Sequence, residues 1–341
     1  MTSCKLYLTK RSNQIWYMGW IEDGRRRWRS TKCAIKSDAL QFLKEFQDSG
    51  KKQAANITLL ECFKLFSTEH GPSIRKSTLN SYEGAIKSFV GVCSDKFLSS
   101  YSASNIEQFK QVRINQGLSV NTVNIYLRSV MAVFSFAVKR ELVPRNIFHM
   151  SQLIKIPKQP PAYLGKSEFQ QLLEQTKNPL LKDIFTFAAT TGMRAGELIN
   201  LRWVNVDLER RQASIVNTED FTTKSGNGRV VPLNETAYKV VMGREHLRRF
   251  SEYVFHKNGF RVQRCYLSHA FKKVVRKAKL PEALRFHSLR HTFGSWCAQS
   301  NVPIYTIQAL MGHSSVQTTS IYAHLAESHL HSAVEKISIQ D

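Results

Sequence analysis

Apolar positions along the chain follow two different periods. Ile15, Tyr17, Gly19 and Ile21 alternate with Trp16, Met18 and Trp20, the period-two signature of a strand. Asp23-Gly24 supplies a hairpin turn, and Arg25-Arg26-Arg27-Trp28-Arg29 reads as a second strand. Ala39, Phe42, Leu43 and Phe46 share one face of a helix predicted over 36–46. Residues 51–56 read as a linker, and beyond them the period is helical. Ile57, Leu60, Phe63, Leu65 and Phe66 open a first helix, and Leu79, Tyr82, Ile86 and Phe89 predict a second over 77–92. Ile106, Phe109 and Val112 predict a third over 104–114. A long fourth over 119–142 carries Val123, Tyr126, Leu127, Val130, Val133, Phe134 and Ala137. Four helices in so short a stretch make a compact bundle. Pro144 stops it, and KIPKQPP at 155–161 is a linker stiffened by three prolines. From Tyr163 onward helices are expected over 167–175 and 180–190, short strands over 212–216 and 229–233, and mostly helix thereafter.

The expected fold class is therefore multidomain and mainly α. A small N-terminal β-sheet plus helix module occupies 1–55, a helical bundle 56–150, a linker 151–162, and an α+β domain with a C-terminal tail 163–341. A length of 341 residues suits two or three such domains, and 42% apolar with 11% aromatic residues excludes wholesale disorder. Charge adds more. Lys and Arg outnumber Asp and Glu by 49 to 26, a formal charge of +23, which calls for a polyanionic partner: nucleic acid or an anionic membrane. No stretch approaches the roughly 20 apolar residues of a spanning helix, so no membrane role is expected. The opening MTSCKLYLTKRSNQ lacks a signal-peptide core. Six scattered cysteines without a Cys-x-x-Cys pair argue against a zinc knuckle or disulfide framework and for reduced thiols in a cytosolic protein. The first 55 residues hold twelve Lys/Arg against five Asp/Glu. Arg25, Arg26, Arg27 and Arg29 fit binding to DNA phosphates, or a charged edge strand that discourages aggregation.

Several polar residues interrupt apolar patterns in the last domain. In TGMRAGEL, Gly192 ends one helix and Arg194 opens the next, where it can face a phosphate or pair with Glu197. Lys224 sits in a glycine-containing turn between two strands, either an ordinary surface lysine or an ammonium offered to a groove. In HSLRHT, His287 and Arg290 share a helix face directed away from the buried side of Leu289, Phe293 and Trp296. His287 and His291 lack a third ligand for zinc, so no metal is expected. His313 follows the helix stop at Gly312, with serines able to cap the next helix. Tyr322, taken alone, reads as a core tyrosine.

Together these residues have one economical explanation: phosphoryl transfer from DNA to a tyrosine oxygen. Arg194 and Arg290 would match charge growing on the non-bridging phosphate oxygens. Tyr322 would be the nucleophile, helped to lose its proton by a neighbour such as His287. Lys224 would protonate the departing oxygen, and His313 would donate a hydrogen bond to the phosphate.

TGMRAGEL, TKSGNGRVVPL, HSLRHT, LMGHSS and TTSIYAH, in this order, resemble the motifs of the tyrosine recombinase (phage integrase) family. Arg290 to His313 spans 23 residues and His313 to Tyr322 nine. The resemblance covers 163–330 most closely. The bundle is similar to the family's core-DNA-binding domain and the N-terminal module to arm-site-binding domains. It implies a catalytic domain of the tyrosine recombinase type, with Arg194, Lys224, His287, Arg290, His313 and Tyr322 as its catalytic set and Glu197 in support. It also implies strand cleavage through a 3′-phosphotyrosyl bond without any cofactor. The implied partners are double-stranded DNA, a homotetramer holding two DNA sites, and an accessory DNA-bending or directionality protein; the location is the cytoplasm, on DNA. The tail over 325–339 would pack on a neighbouring protomer or fold back on its own domain. A type IB topoisomerase and a non-catalytic DNA-binding protein are the alternatives.

Overall fold

The computed structural model describes residues 6–22, 25–49, 57–157, 160–218, 221–222 and 228–325. The turn at Asp23-Gly24, the linker at 51–56, Lys224 and the tail beyond Leu325 lie outside the described residues. The chain divides into two compact units, 1–157 and 158–341.

In the first unit, β1 (Tyr7–Lys10), β2 (Trp16–Glu22) and β3 (Arg25–Ser30) form an antiparallel sheet in that order. The register pairs Tyr17 with Ser30 and Glu22 with Arg25. Helix α1 (Lys36–Ser49) lies against β2, with Met18 and Ala39 fully buried. β3 is an edge strand; Arg26, Arg27 and Arg29 are exposed on it and Arg25 begins it. Trp28, interleaved with these arginines, helps fasten the sheet: its ring meets that of Tyr7 on β1 edge-on at 5.4 Å, and Arg11 lies 4.3 Å from the Tyr17 ring centre on β2.

The bundle consists of α2 (Leu59–His70), α3 (Lys76–Cys93), α4 (Ala103–Asn115) and α5 (Val120–Lys139). Thr58 and Glu61 close a capping box at the start of α2. Ile86, Phe89, Phe109, Leu127, Val130 and Phe134 form the core, each fully buried side chain contributing about 1.5–3 kcal/mol. Two buried polar residues tie down the segment after the bundle. Lys110 Nζ donates to the Gln152 carbonyl at 2.6 Å, and the Asn124 amide exchanges two hydrogen bonds with the Ile154 backbone. Chain expected as linker from 151 is thus held to the bundle as far as Ile154.

The second unit begins with α6 (Lys166–Glu174), α7 (Pro179–Thr191) and the short α8 (Ala195–Ile199). An antiparallel sheet follows, β4 (Val206–Asp207), β5 (Gln212–Ile215) and β6 (Arg229–Pro232), then α9 (Glu235–Arg244) and a small hairpin of β7 (His256–Lys257) and β8 (Phe260–Arg261). Helices α10 (Arg264–Lys277), α11 (Ser288–Gln299), α12 (Ile304–Met311) and α13 (Val316–Thr319) lead to a 3₁₀ turn, Ser320–Leu325. Ile184, Phe185, Phe187, Phe255, Phe271 and Leu289 centre the main core. Helix α11 also grips the entering chain: Leu164 donates its N–H to Thr292 Oγ1 at 2.9 Å and accepts from the Trp296 indole at 3.1 Å. A satellite cluster of Ala298, Ile307, Met311 and Tyr322 packs at the far end of α11. Among the described residues no helix is long and apolar enough to cross a membrane.

Candidate active site

The site is assembled from chain breaks between helices. Helix α7 stops at Gly192, whose backbone is left-handed, and Arg194 takes the N-cap position of α8. The Glu197 carboxylate reaches back to cap that start, accepting from the Arg194 backbone N–H at 2.9 Å and the Arg194 guanidinium at 2.8 Å. Of the two readings weighed for Arg194, the pairing with Glu197 is the one present here, and it leaves the residue at the helix start. Its second nitrogen donates to the Gly312 carbonyl at 3.1 Å.

Arg290, on α11, is only 3% exposed and donates two 2.6 Å hydrogen bonds, to the carbonyls of Gly192 and Met311. This corrects the expectation that the Arg290 face of the helix points away from the buried side. Its side chain runs inward with Leu289 because the helix-terminal carbonyls at Gly192 and Met311 need donors. Burial first, and then the Arg194 charge, lower its pKa to about 9, so it remains cationic at neutral pH. Arg229, at the start of β6, completes the group. It grips Glu197 with both guanidinium nitrogens, at 3.1 and 2.8 Å, and donates from Nε to the Leu310 carbonyl. Burial alone would raise the Glu197 pKa; the hydrogen bonds and charge of Arg229, with those of Arg194, outweigh it and hold it at about 2. Arg194 and Arg229 thus share one carboxylate, and with the Arg290 charge beside them the site stays electropositive.

Tyr322 lies against this group at 1% exposure, its Oη 2.8 Å from His291 Nδ1. Burial raises the phenol pKa to about 12, while the Arg290 charge works the other way. The ring passes so close to α11 that a Cβ on Gly294 would fall 2.6 Å from Tyr322 Cζ. The tyrosine partner is thus His291 and not His287, a second correction. His287 meets His291 edge to face at 5.0 Å between ring centres. One edge of His287 is open to solvent, yet crowding by protein lowers its pKa, and the charges of His291, Arg290, Arg194 and Arg264 lower it further. His313 follows the left-handed Gly312; its Nδ1 is held by Thr319 Oγ1 at 2.9 Å, leaving Nε2 as the other ring nitrogen. Burial, then Arg290 and its neighbours, lower its pKa to about 4. Ser315 caps α13 as its spacing predicts. Among the described residues no group of three or more His, Cys, Asp or Glu side chains is placed to hold a metal ion.

The depressed histidines set an acid limit on stability. His313 stays neutral in the folded state down to about pH 4 but takes a proton near pH 6.5 when unfolded. Melting temperature is therefore expected to fall as pH drops from 6.5 towards 4, and more steeply below 4.5, where Glu197 begins to protonate in the unfolded chain. Calorimetry across this range checks it: His313→Asn should flatten the upper part of the slope, and an unchanged slope would contradict the assignment.

Residues 162–329 match the phage integrase family. Over these residues the chain belongs to the tyrosine recombinases. It is 34% identical over 192 residues to the integrase of Salmonella phage P22, covering 52% of this chain and 48% of that one. The chain thus spans about half the length of that relative. A XerC-like tyrosine recombinase of Caldanaerobacter subterraneus subsp. tengcongensis is 23% identical over 337 residues, 86% of this chain and 84% of its own. In fold, this tyrosine recombinase superimposes on the Tn1549 transposon integrase in complex with transposon right end DNA, with a TM-score of 0.71 and 21% identity over 83% of this chain and all of that one. It also matches a lambda integrase dimer bound to a COC′ core site, with a TM-score of 0.68 and 16% identity over 95% of this chain and 96% of that one.

Proposed function

We propose that this chain is a site-specific DNA recombinase, an integrase that breaks and rejoins DNA strands through a 3′-phosphotyrosyl intermediate on Tyr322. The observation that carries the reading is the Tyr322 hydroxyl, 2.8 Å from a histidine of depressed pKa and under the influence of the Arg290 charge. The Tyr322 oxygen attacks a backbone phosphorus, and its proton passes to neutral His291. Arg194, Arg290 and His313 take up charge on the non-bridging oxygens. The bond to the 5′ oxygen breaks, and that oxygen receives its proton from Lys224. His287, at the edge of the group, packs edge to face against the His291 ring and holds it towards Tyr322. The 5′-hydroxyl of a partner duplex then attacks the phosphotyrosine, and the phenol recovers its proton. Phosphoester bonds are exchanged one for one, so no nucleotide or metal is consumed.

The net charge of +23 and the relatives solved on DNA support double-stranded DNA as the substrate. A lambda integrase tetramer bound to a Holliday junction, similar in fold, supports four protomers acting on two duplexes. Arg25, Arg26, Arg27 and Arg29 on the N-terminal module would bind phosphates at distal sites, where an accessory DNA-bending or directionality protein would act. The protein would work on the DNA of the cell that carries it.

The test uses the full chain with nicked duplexes tiled across the DNA flanking its gene. A denaturation-resistant adduct on Tyr322, together with strands joined between two duplexes, is expected. Relaxation of one supercoiled duplex without exchange would point to a topoisomerase, and binding without an adduct to a non-catalytic protein. Within this scheme His291→Phe should slow adduct formation on the order of 10²-fold. Neutral His291 is the working form, so the wild-type rate falls as pH drops through its lowered pKa, and the variant loses that limb. An adduct rate unchanged in His291→Phe would show that the contact only stores the tyrosine.

A further inference from the structure

Arg229 is the arginine of the described site that no step above employs. Its side chain is 10% exposed and both its terminal nitrogens are committed to Glu197, which is 1% exposed. The Glu197 carboxylate accepts four hydrogen bonds: from the Arg194 backbone and guanidinium, and from two nitrogens of Arg229. In a one-to-one pair Glu197 would cancel the Arg194 charge. With Arg229 sharing the carboxylate, the three groups together keep one positive charge, available to an anion at the start of α8. Arg229 is itself fixed from the other side. Its Nε donates to the Leu310 carbonyl at 3.0 Å, and its stem crosses Gly312 so closely that a Cβ there would lie 2.8 Å from Arg229 Cδ.

We propose that Arg229 is a positioning residue for DNA cleavage, which neutralises Glu197 and thereby keeps Arg194 cationic and aimed at the scissile phosphate. The proposal rests on the recombinase reading and specifies what one residue of that site does. It makes Arg229 a partner of Glu197 first, so its loss should be repaired by removing the negative charge of that carboxylate.

The experiment measures adduct formation by the full-length protein on the flanking duplex that traps the wild type. Arg229→Met is expected to lower the rate by at least about 100-fold while duplex affinity changes by less than about threefold, because the lost charge acts chiefly on the transition state. Two readouts separate this from a merely structural role. Adding Glu197→Gln to Arg229→Met should restore the rate by about tenfold or more, since the unpaired buried carboxylate is gone. On a duplex with a neutral methylphosphonate at the scissile position, the gap between wild type and Arg229→Met should narrow by about tenfold or more, because no anionic oxygen then requires Arg194. Failure of either readout, or a wild-type rate in Arg229→Met, overturns the proposal. If Arg229→Met does not fold, the comparison is made within Glu197→Gln. There, removing Arg229 should cost less than about tenfold, and a larger loss overturns the proposal. A wild-type protein that traps no flanking duplex would overturn the recombinase reading, and this proposal with it; a trapping wild type with failed readouts overturns this proposal alone.

Discussion

Tyr322→Phe is expected to eliminate the covalent protein–DNA adduct while leaving the protein folded and bound to its duplex. The substitution removes one oxygen from a side chain that is otherwise fully packed. The phenylalanine ring keeps the contacts with Ala298, Ile307 and Met311, and only the hydrogen bond to His291, worth about 1 kcal/mol, is lost. Without a nucleophile the chemistry has no substitute within the site, and loss on the order of 10⁵-fold or more is expected, the scale seen when a hydrolase loses its nucleophile. Denaturing gels read the adduct, gel shift the binding, and calorimetry the fold. An adduct that survives the substitution would place the nucleophile elsewhere and remove the basis of the proposed cycle.

Arg290→Ala should be nearly as damaging to cleavage, by a different route. The side chain is a buried cation that donates to the Gly192 and Met311 carbonyls and sits within reach of the Tyr322 phenol. Its charge counts most when the phosphate takes on its transition-state form, so a loss of about 10³–10⁵-fold in adduct rate is expected, as for an arginine that stabilises phosphoryl transfer. Two carbonyls also lose their donors, lowering stability by about 1–3 kcal/mol each if left unsatisfied. Arg290→Lys keeps the charge but loses the planar fork whose two arms reach the two carbonyls, so it should fold better than Arg290→Ala and cleave almost as poorly. Rapid-quench cleavage beside thermal melting separates the two effects. A lysine variant of near-wild-type rate would mean that charge alone suffices.

The elements set by local rules were readable in the sequence. The long bundle helices, the α7 stop at Gly192 and the cap at Ser315 follow from periodicity, glycine and hydroxyl chemistry within a few residues. Where neighbours compete, the reading loosened: Leu65 was placed with the opening helix, yet it is 43% exposed because the buried stripe runs through Leu59, Cys62 and Phe66. Strand β1 went unread, since four residues in a basic stretch show too little alternation. The candidate catalytic positions were legible because they sit in short motifs, but their contacts were not. His291 was weighed only as a zinc ligand, although it is the residue that meets Tyr322, 31 positions later. Arg229 resembles any charged residue at a strand start until Glu197, 32 positions earlier, is brought to it. The signal that could have singled it out is that Glu197 is a lone acid amid cations and needs a second arginine to be buried.

The missing side chain at Gly294 has a consequence for how the proposed chemistry could be silenced. The space under the Tyr322 ring is filled to the last carbon, so a single methyl group on the α11 backbone would collide with the ring itself. Alanine there would shift the phenol from its partner without touching any charged group, turning a cutter into an occupant of the same site. One base change in the gene can reach that state, and one can reverse it.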